Sequence, residues 1–141
     1  MSLVKDAVFG AIGKRVPKVI GPAAHGLIDY GHVAFFLGMA LLLRKSNKRA
    51  AMAALGTGAL VLVQSVLTDY PMGVVPAMSF ETHGKLDAAM AASSWAIPGA
   101  FGFAGTPAAK IFTGNSVLEG AIVKMTDFSV PTSADERATE F

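Results

Sequence analysis

His25-Gly26-Leu27-Ile28-Asp29 and His83-Gly84-Lys85-Leu86-Asp87 are one pattern written twice, 58 positions apart. The same shift carries Thr68 onto Thr126 and Asp69 onto Asp127. Between these anchors it places Ala50-Ala51 on Ala108-Ala109, Gly56 on Gly114 and Leu60 on Leu118 without a gap. A chain that repeats in this way folds each copy as one supersecondary unit and packs the copies against each other. The units span residues 25–70 and 83–128, each opening on the histidine motif and closing on Thr-Asp-aromatic.

Each unit reads as two helices. Ala34–Leu43 is apolar apart from Gly38, and Ala50–Val63 and Ala88–Ala109 contain no charge. Such runs approach the ~20 residues that a hydrocarbon layer of ~30 Å demands of a helix. Of 141 residues, 52% are hydrophobic and 16% charged, with a mean hydropathy of +0.50, outside ordinary soluble composition. A small soluble bundle needs a polar outer face, and Ala50–Val63 offers only Thr57. The expected fold is all-α: an integral membrane four-helix bundle made of two tandem two-helix repeats, with an N-terminal amphipathic interfacial helix.

Punctuation residues set the expected boundaries. Residues 1–21 form the amphipathic segment, with Leu3, Val4, Ala7, Val8 and Ala11 facing away from Lys5, Lys14 and Arg15. Residues 22–130 form the transmembrane domain. Its helices are expected over about 23–43, 49–69, 80–103 and 107–126, the third bent at Pro98-Gly99. Thr106 is the expected N-cap of the fourth, with Pro107 at its first position. Residues 131–141 form a mobile, charged tail.

Composition excludes several classes. With no cysteine there is no disulfide, thiolate metal site, Fe–S cluster or covalently attached haem. A net charge of +2 without a basic patch argues against a nucleic-acid partner. The expected partners are the lipid bilayer and either a second copy or a larger membrane complex.

The repeat has a chemical consequence. A two-helix unit returns to the side where it began, so both copies run in the same sense and the pseudo-twofold axis follows the membrane normal. His25, Asp29, Asp69, His83, Asp87 and Asp127 are therefore expected to gather at one end of the bundle. Within each copy the His and Asp are four apart and share a helix face. Three readings fit this set: a hydrogen-bonded belt that locks the bundle, a divalent metal ion held by all six residues, or a haem b with His25 and His83 as axial ligands. A metal-dependent membrane hydrolase is a further alternative, although no catalytic residue stands out. His32 has Met90 as its counterpart and falls outside the symmetric set, while Glu119 is expected to bond to Asn115, Ser116 or a neighbouring helix. Gly31, Gly38, Gly56, Gly58, Gly114 and Gly120 are expected where helices pack closely.

Ser93-Ser94-Trp95 followed by Pro98 and Gly102-Phe103 resembles the SPW-repeat family of small bacterial membrane proteins, with Ser94 in place of that family's proline. More broadly, the His-x-x-x-Asp openings and Leu67-Thr68-Asp69-Tyr70 look like duplicated four-helix bacterial membrane proteins of unassigned activity. The resemblance covers the repeat region. It implies a bacterial integral membrane protein built of two-helix repeats, with no established activity. The residues themselves lead to the expectation of a scaffold or accessory subunit of the bacterial inner membrane rather than an enzyme, because so little of the chain lies outside the apolar helices.

Overall fold

The computed structural model describes residues 15–131. The amphipathic helix expected over residues 1–21 lies outside the described residues except for 15–21, which are not helical, and the expected tail lies outside except for Pro131. Among the described residues there are five helices and no strand: α1 (Pro22–Leu43), α2 (Lys48–Leu67), α3 (Phe80–Ser94), α4 (Ile97–Ala100) and α5 (Ala109–Met125). The α1 helix packs along α2, and α3 along α5, giving two helical hairpins.

Local chemistry fixes most ends. Pro22 opens α1, where a missing N–H costs nothing. Asn47 caps α2 by accepting from the Ala50 N–H, and Ser79 caps α3 by accepting from Thr82 N–H. The continuous third helix expected from Phe80 to Phe103 breaks after Ser94, because the ring of Pro98 would collide with the carbonyl four residues earlier. Thr106 is not a side-chain cap. Its hydroxyl donates to Phe103 O (2.8 Å) and accepts from Asn47 Nδ2 (3.2 Å), and α5 starts later, at Ala109. At Gly102, φ is +72° and a Cβ would meet the Arg49 guanidinium at 2.7 Å, so only glycine suits this turn.

The hairpins are joined by matched backbone bonds at the end opposite this turn. Ile20 N–H donates to Met125 O (3.0 Å), and Asp127 N–H to Ile20 O (2.9 Å). Met78 N–H donates to Leu67 O (2.9 Å), and Asp69 N–H to Met78 O (2.8 Å). The second pair is the first displaced by 58 residues. Each hairpin thus reaches forward or back to close the other's last turn.

The interior has two kinds of core. Near the α1–α2 turn it is apolar, built from Phe36, Ala50, Ala54, Phe103 and Phe112. At the other end it is polar, with His25, His83, Thr68 and Thr126 all at or below 1% exposure. Two helices are long and apolar enough to cross a membrane: α1, with mean hydropathy 1.6, and α2, with 1.8. At 15 and 17 residues, α3 and α5 span about 22 and 25 Å.

The close-packing glycines differ from those expected. A Cβ at Gly31, Gly38, Gly56, Gly114 or Gly120 would meet nothing within 4 Å, and of that group only Gly58 faces a neighbouring helix. Within the helices the tightest positions are Gly26, where a Cβ would lie 2.6 Å from Met72 Cβ, and Gly84, where it would lie 2.7 Å from the Phe128 ring. Here the closing segments of the hairpins lie directly on the histidine-bearing turns.

Candidate metal centre

The polar core is built from one turn of α1, one turn of α3 and the ends of α2 and α5. His25 and Asp29 lie one turn apart on α1, and His83 and Asp87 one turn apart on α3. All four are buried, at 0%, 3%, 1% and 2% exposure. His25 Nε2 lies 3.2 Å from His83 Nε2, 3.0 Å from Asp87 Oδ2 and 3.4 Å from Asp29 Oδ1. His83 Nε2 lies 3.0 Å from Asp87 Oδ2 and 3.3 Å from Asp29 Oδ2. One ligand atom from each of the four residues falls within 4.8 Å of all the others.

Two threonines decide which way the imidazoles face. The Thr126 hydroxyl lies 2.7 Å from Ile122 O and 2.9 Å from His25 Nδ1. The Thr68 hydroxyl lies 2.7 Å from Gln64 O and 2.7 Å from His83 Nδ1. A hydroxyl has one proton, and each gives it to the helix carbonyl, so each accepts from an imidazole Nδ1–H. This network assigns the tautomer. Each ring then turns its Nε2 toward the same point, and in the neutral form that nitrogen offers a lone pair. An outward Nδ1–H bond of this kind is the usual outer support of a metal-ligating histidine.

The carboxylates are also held from behind. Tyr70 O–H donates to Asp29 Oδ2 at 2.8 Å, and Gln64 Nε2 donates to Asp87 Oδ1 at 2.6 Å. Burial pushes the Tyr70 phenol well above its ordinary pKa, so it stays a donor to Asp29. Phe80 and Phe128 close the site over His25, with ring centroids 5.4 and 5.2 Å away in edge-on contact.

Of the six residues expected to converge, the structure brings together His25, Asp29, His83 and Asp87 and places Asp69 and Asp127 elsewhere. The reason is local. Helices α2 and α5 end at Thr68 and Thr126, whose backbones are extended at ψ 137° and 136°. That turn points the threonines inward and carries the following aspartates away. Asp69 lines a separate cavity with Pro22, Tyr70 and Val130. Asp127 Oδ1 accepts from Ser129 N–H (3.0 Å) and Ser129 Oγ–H (2.5 Å), which holds its carboxyl below the usual range. Thr68 and Thr126 were legible as repeat anchors, but their role depends on the angle of the helix end. Gln64 carried no signal, because Ile122 stands at its counterpart, and Tyr70 stood out only as the aromatic that closes the unit, since its counterpart Phe128 has no hydroxyl.

A second buried pair lies deeper. His32 Nδ1 is 3.3 Å from Glu119 Oε2, so Glu119 meets a neighbouring helix, one of the alternatives expected for it. The counterparts of this pair, Met90 and Val61, are apolar.

The haem alternative does not fit this geometry. A porphyrin needs a clear plane between its axial imidazoles, and here Asp29 and Asp87 fill the space beside two rings whose Nε2 atoms are 3.2 Å apart. Comparison with family models, curated proteins and solved structures finds no match to this chain.

Proposed function

We propose that this chain is a small integral membrane scaffold or accessory subunit, formed by tandem duplication, in which His25, Asp29, His83 and Asp87 hold one divalent transition-metal ion and so lock two helix hairpins together. The observation that carries this reading is the 3.2 Å approach of two Nε2 atoms whose rings keep their protons on Nδ1. In the neutral rings two lone pairs face each other at that distance and repel, a conflict that either one proton held between the nitrogens or a bound cation relieves.

Charge points the same way. Two buried carboxylates bring a charge of −2 into a place of low dielectric, where it needs a counter-charge from a protonated imidazole or from a cation. One divalent ion balances it. The size also suits such an ion. Donors about 2.0–2.1 Å from a tetrahedral centre lie ~3.3 Å from one another; His25 Nε2, His83 Nε2 and Asp87 Oδ2 lie 3.0–3.2 Å apart, and Asp29 approaches His25 through Oδ1 at 3.4 Å and His83 through Oδ2 at 3.3 Å. Two imidazoles and two carboxylates form a borderline-to-hard donor set. Four protein ligands with no exposed face match a structural centre, whereas a catalytic one keeps a position open.

The membrane reading rests on α1 and α2, and on the outer faces of both hairpins. Leu41, Leu42, Met52, Trp95 and Val117 are 63–76% exposed around a polar interior. An apolar exterior of this extent suits lipid. The shorter second hairpin is completed by α4, which extends the span begun by α3.

Elemental analysis of the detergent-purified protein, before and after chelation and metal return, tests the centre. One equivalent of metal per chain is expected, falling to background in His25→Gln/His83→Gln. A metal-free protein that takes up none on reconstitution would falsify the reading. Retention in alkaline carbonate and release by detergent checks membrane insertion; release by carbonate alone counts against it.

A further inference from the structure

The supports of the centre are symmetric behind the imidazoles and asymmetric behind the carboxylates. Thr68 and Thr126 stand 58 residues apart and do the same task. Gln64 and Tyr70 do not recur, since Ile122 and Phe128 have no side-chain donor. Residues 64–70, at the end of α2, therefore support three of the four ligands: Gln64 bonds to Asp87, Thr68 to His83 and Tyr70 to Asp29.

We infer that Gln64 and Tyr70 set the ion preference of the centre, restricting it to four-coordinate ions of the zinc type against ions that require six ligands. This rests on the metal reading proposed above. A carboxylate can bind through one oxygen or through both. Gln64 occupies Asp87 Oδ1 at 2.6 Å, leaving Oδ2, which is the oxygen 3.0 Å from both imidazoles. Tyr70 draws on Asp29 Oδ2 at 2.8 Å and lowers its capacity to chelate alongside Oδ1. Gln64 is itself anchored, 6% exposed and within 3.4 Å of His83 O, so it cannot swing away freely.

Water could supply the missing ligands for a larger coordination shell, but the site is sealed. Phe80 is 1% exposed and packs on Phe128 at a centroid distance of 4.8 Å, over His25. Magnesium keeps several waters when protein-bound, and manganese suits oxygen-rich shells. Neither need is met by two nitrogens and two single carboxylate oxygens. Gln64 and Tyr70 act through the carboxylates and are positioning residues.

The test compares the intact protein with Gln64→Leu/Tyr70→Phe in detergent, titrated separately with Zn²⁺, Co²⁺ and Mn²⁺. The unsubstituted protein should give the intense visible absorption of four-coordinate cobalt. In the variant, zinc affinity should fall ~10–100-fold. The zinc-to-manganese preference should narrow by about the same factor, and the cobalt band should weaken as further oxygens enter the shell. Equal weakening for all three ions, with the cobalt band unchanged, would mean a general packing role and overturn the inference. So would unchanged affinities. Failure of the unsubstituted protein to bind any of the ions would instead remove the metal reading itself. Tyr70→Phe alone copies the residue at position 128 and deletes one hydroxyl, so it carries the same comparison if the double variant does not fold.

Discussion

The first hairpin has helices of 22 and 20 residues and carries Gln64 and Tyr70; the second has helices of 15 and 17 and carries Ile122 and Phe128 at the same places. Both keep His, Asp and Thr in matching geometry. The matched residues meet at the pseudo-twofold centre, where each must complement its own copy. Away from it, each half faces a different neighbour, and the counterparts diverge. His32 with Glu119 is the extreme case: an ionisable pair in one groove, Met90 and Val61 in the other.

That last contrast gives the sharpest test. His32→Met or Glu119→Val alone strands one buried polar group and should destabilise by about 1–3 kcal/mol. The double substitution, which copies Met90 and Val61, should recover most of that loss in a double-mutant cycle read by denaturant unfolding in micelles. Additive losses would show that the two side chains do not act as a pair.

Metal removal comes next. Chelation should lower the unfolding free energy by about 4 kcal/mol relative to protein held at a thousandfold excess of ion over its Kd. A melting curve indifferent to chelator would break the idea that the centre joins the hairpins.

Thr68→Val and Thr126→Val should each cost about 1–3 kcal/mol, because each leaves an imidazole Nδ1–H buried without an acceptor. The costs should match across the hairpins, as the bonds do. A large effect at one threonine only would make the centre functionally one-sided.

Gly26→Ala and Gly84→Ala place a methyl 2.6–2.7 Å from Met72 and Phe128, and overpacking of this kind costs about 1–3 kcal/mol. Gly26→Ala is expected to be the more severe, since its methyl would meet Met72 Cβ, which moves only with the backbone, and the buried Tyr70 ring at 2.8 Å, whereas Gly84→Ala meets the Phe128 ring alone. Thermal melts of the two variants rank them, and the reverse order would contradict this packing.

The smallest effect is at the helix starts. Ser79 caps α3, while its counterpart Gly21 begins α1 without a side-chain cap. Ser79→Ala should cost about 1 kcal/mol, and Gly21→Ser should gain a few tenths of a kcal/mol. Helical content followed through thermal unfolding checks both signs.

The 58-residue shift and the helical character of the chain were legible in the sequence, because helical period and repeat register are properties of residue order, and of the six residues expected to gather His25, Asp29, His83 and Asp87 do so. Residue order also located the break after α2 and the Asn47 turn. What it could not reveal were directions. Thr68 rather than Asp69 turns inward because of the backbone angle at a helix end, and Gln64 meets Asp87 only once two hairpins pack. Periodicity says which residues share a helix face. Only the packed structure decides which of them is left facing a partner, because that depends on the angles at which chain ends leave their helices and on side chains brought together from distant turns.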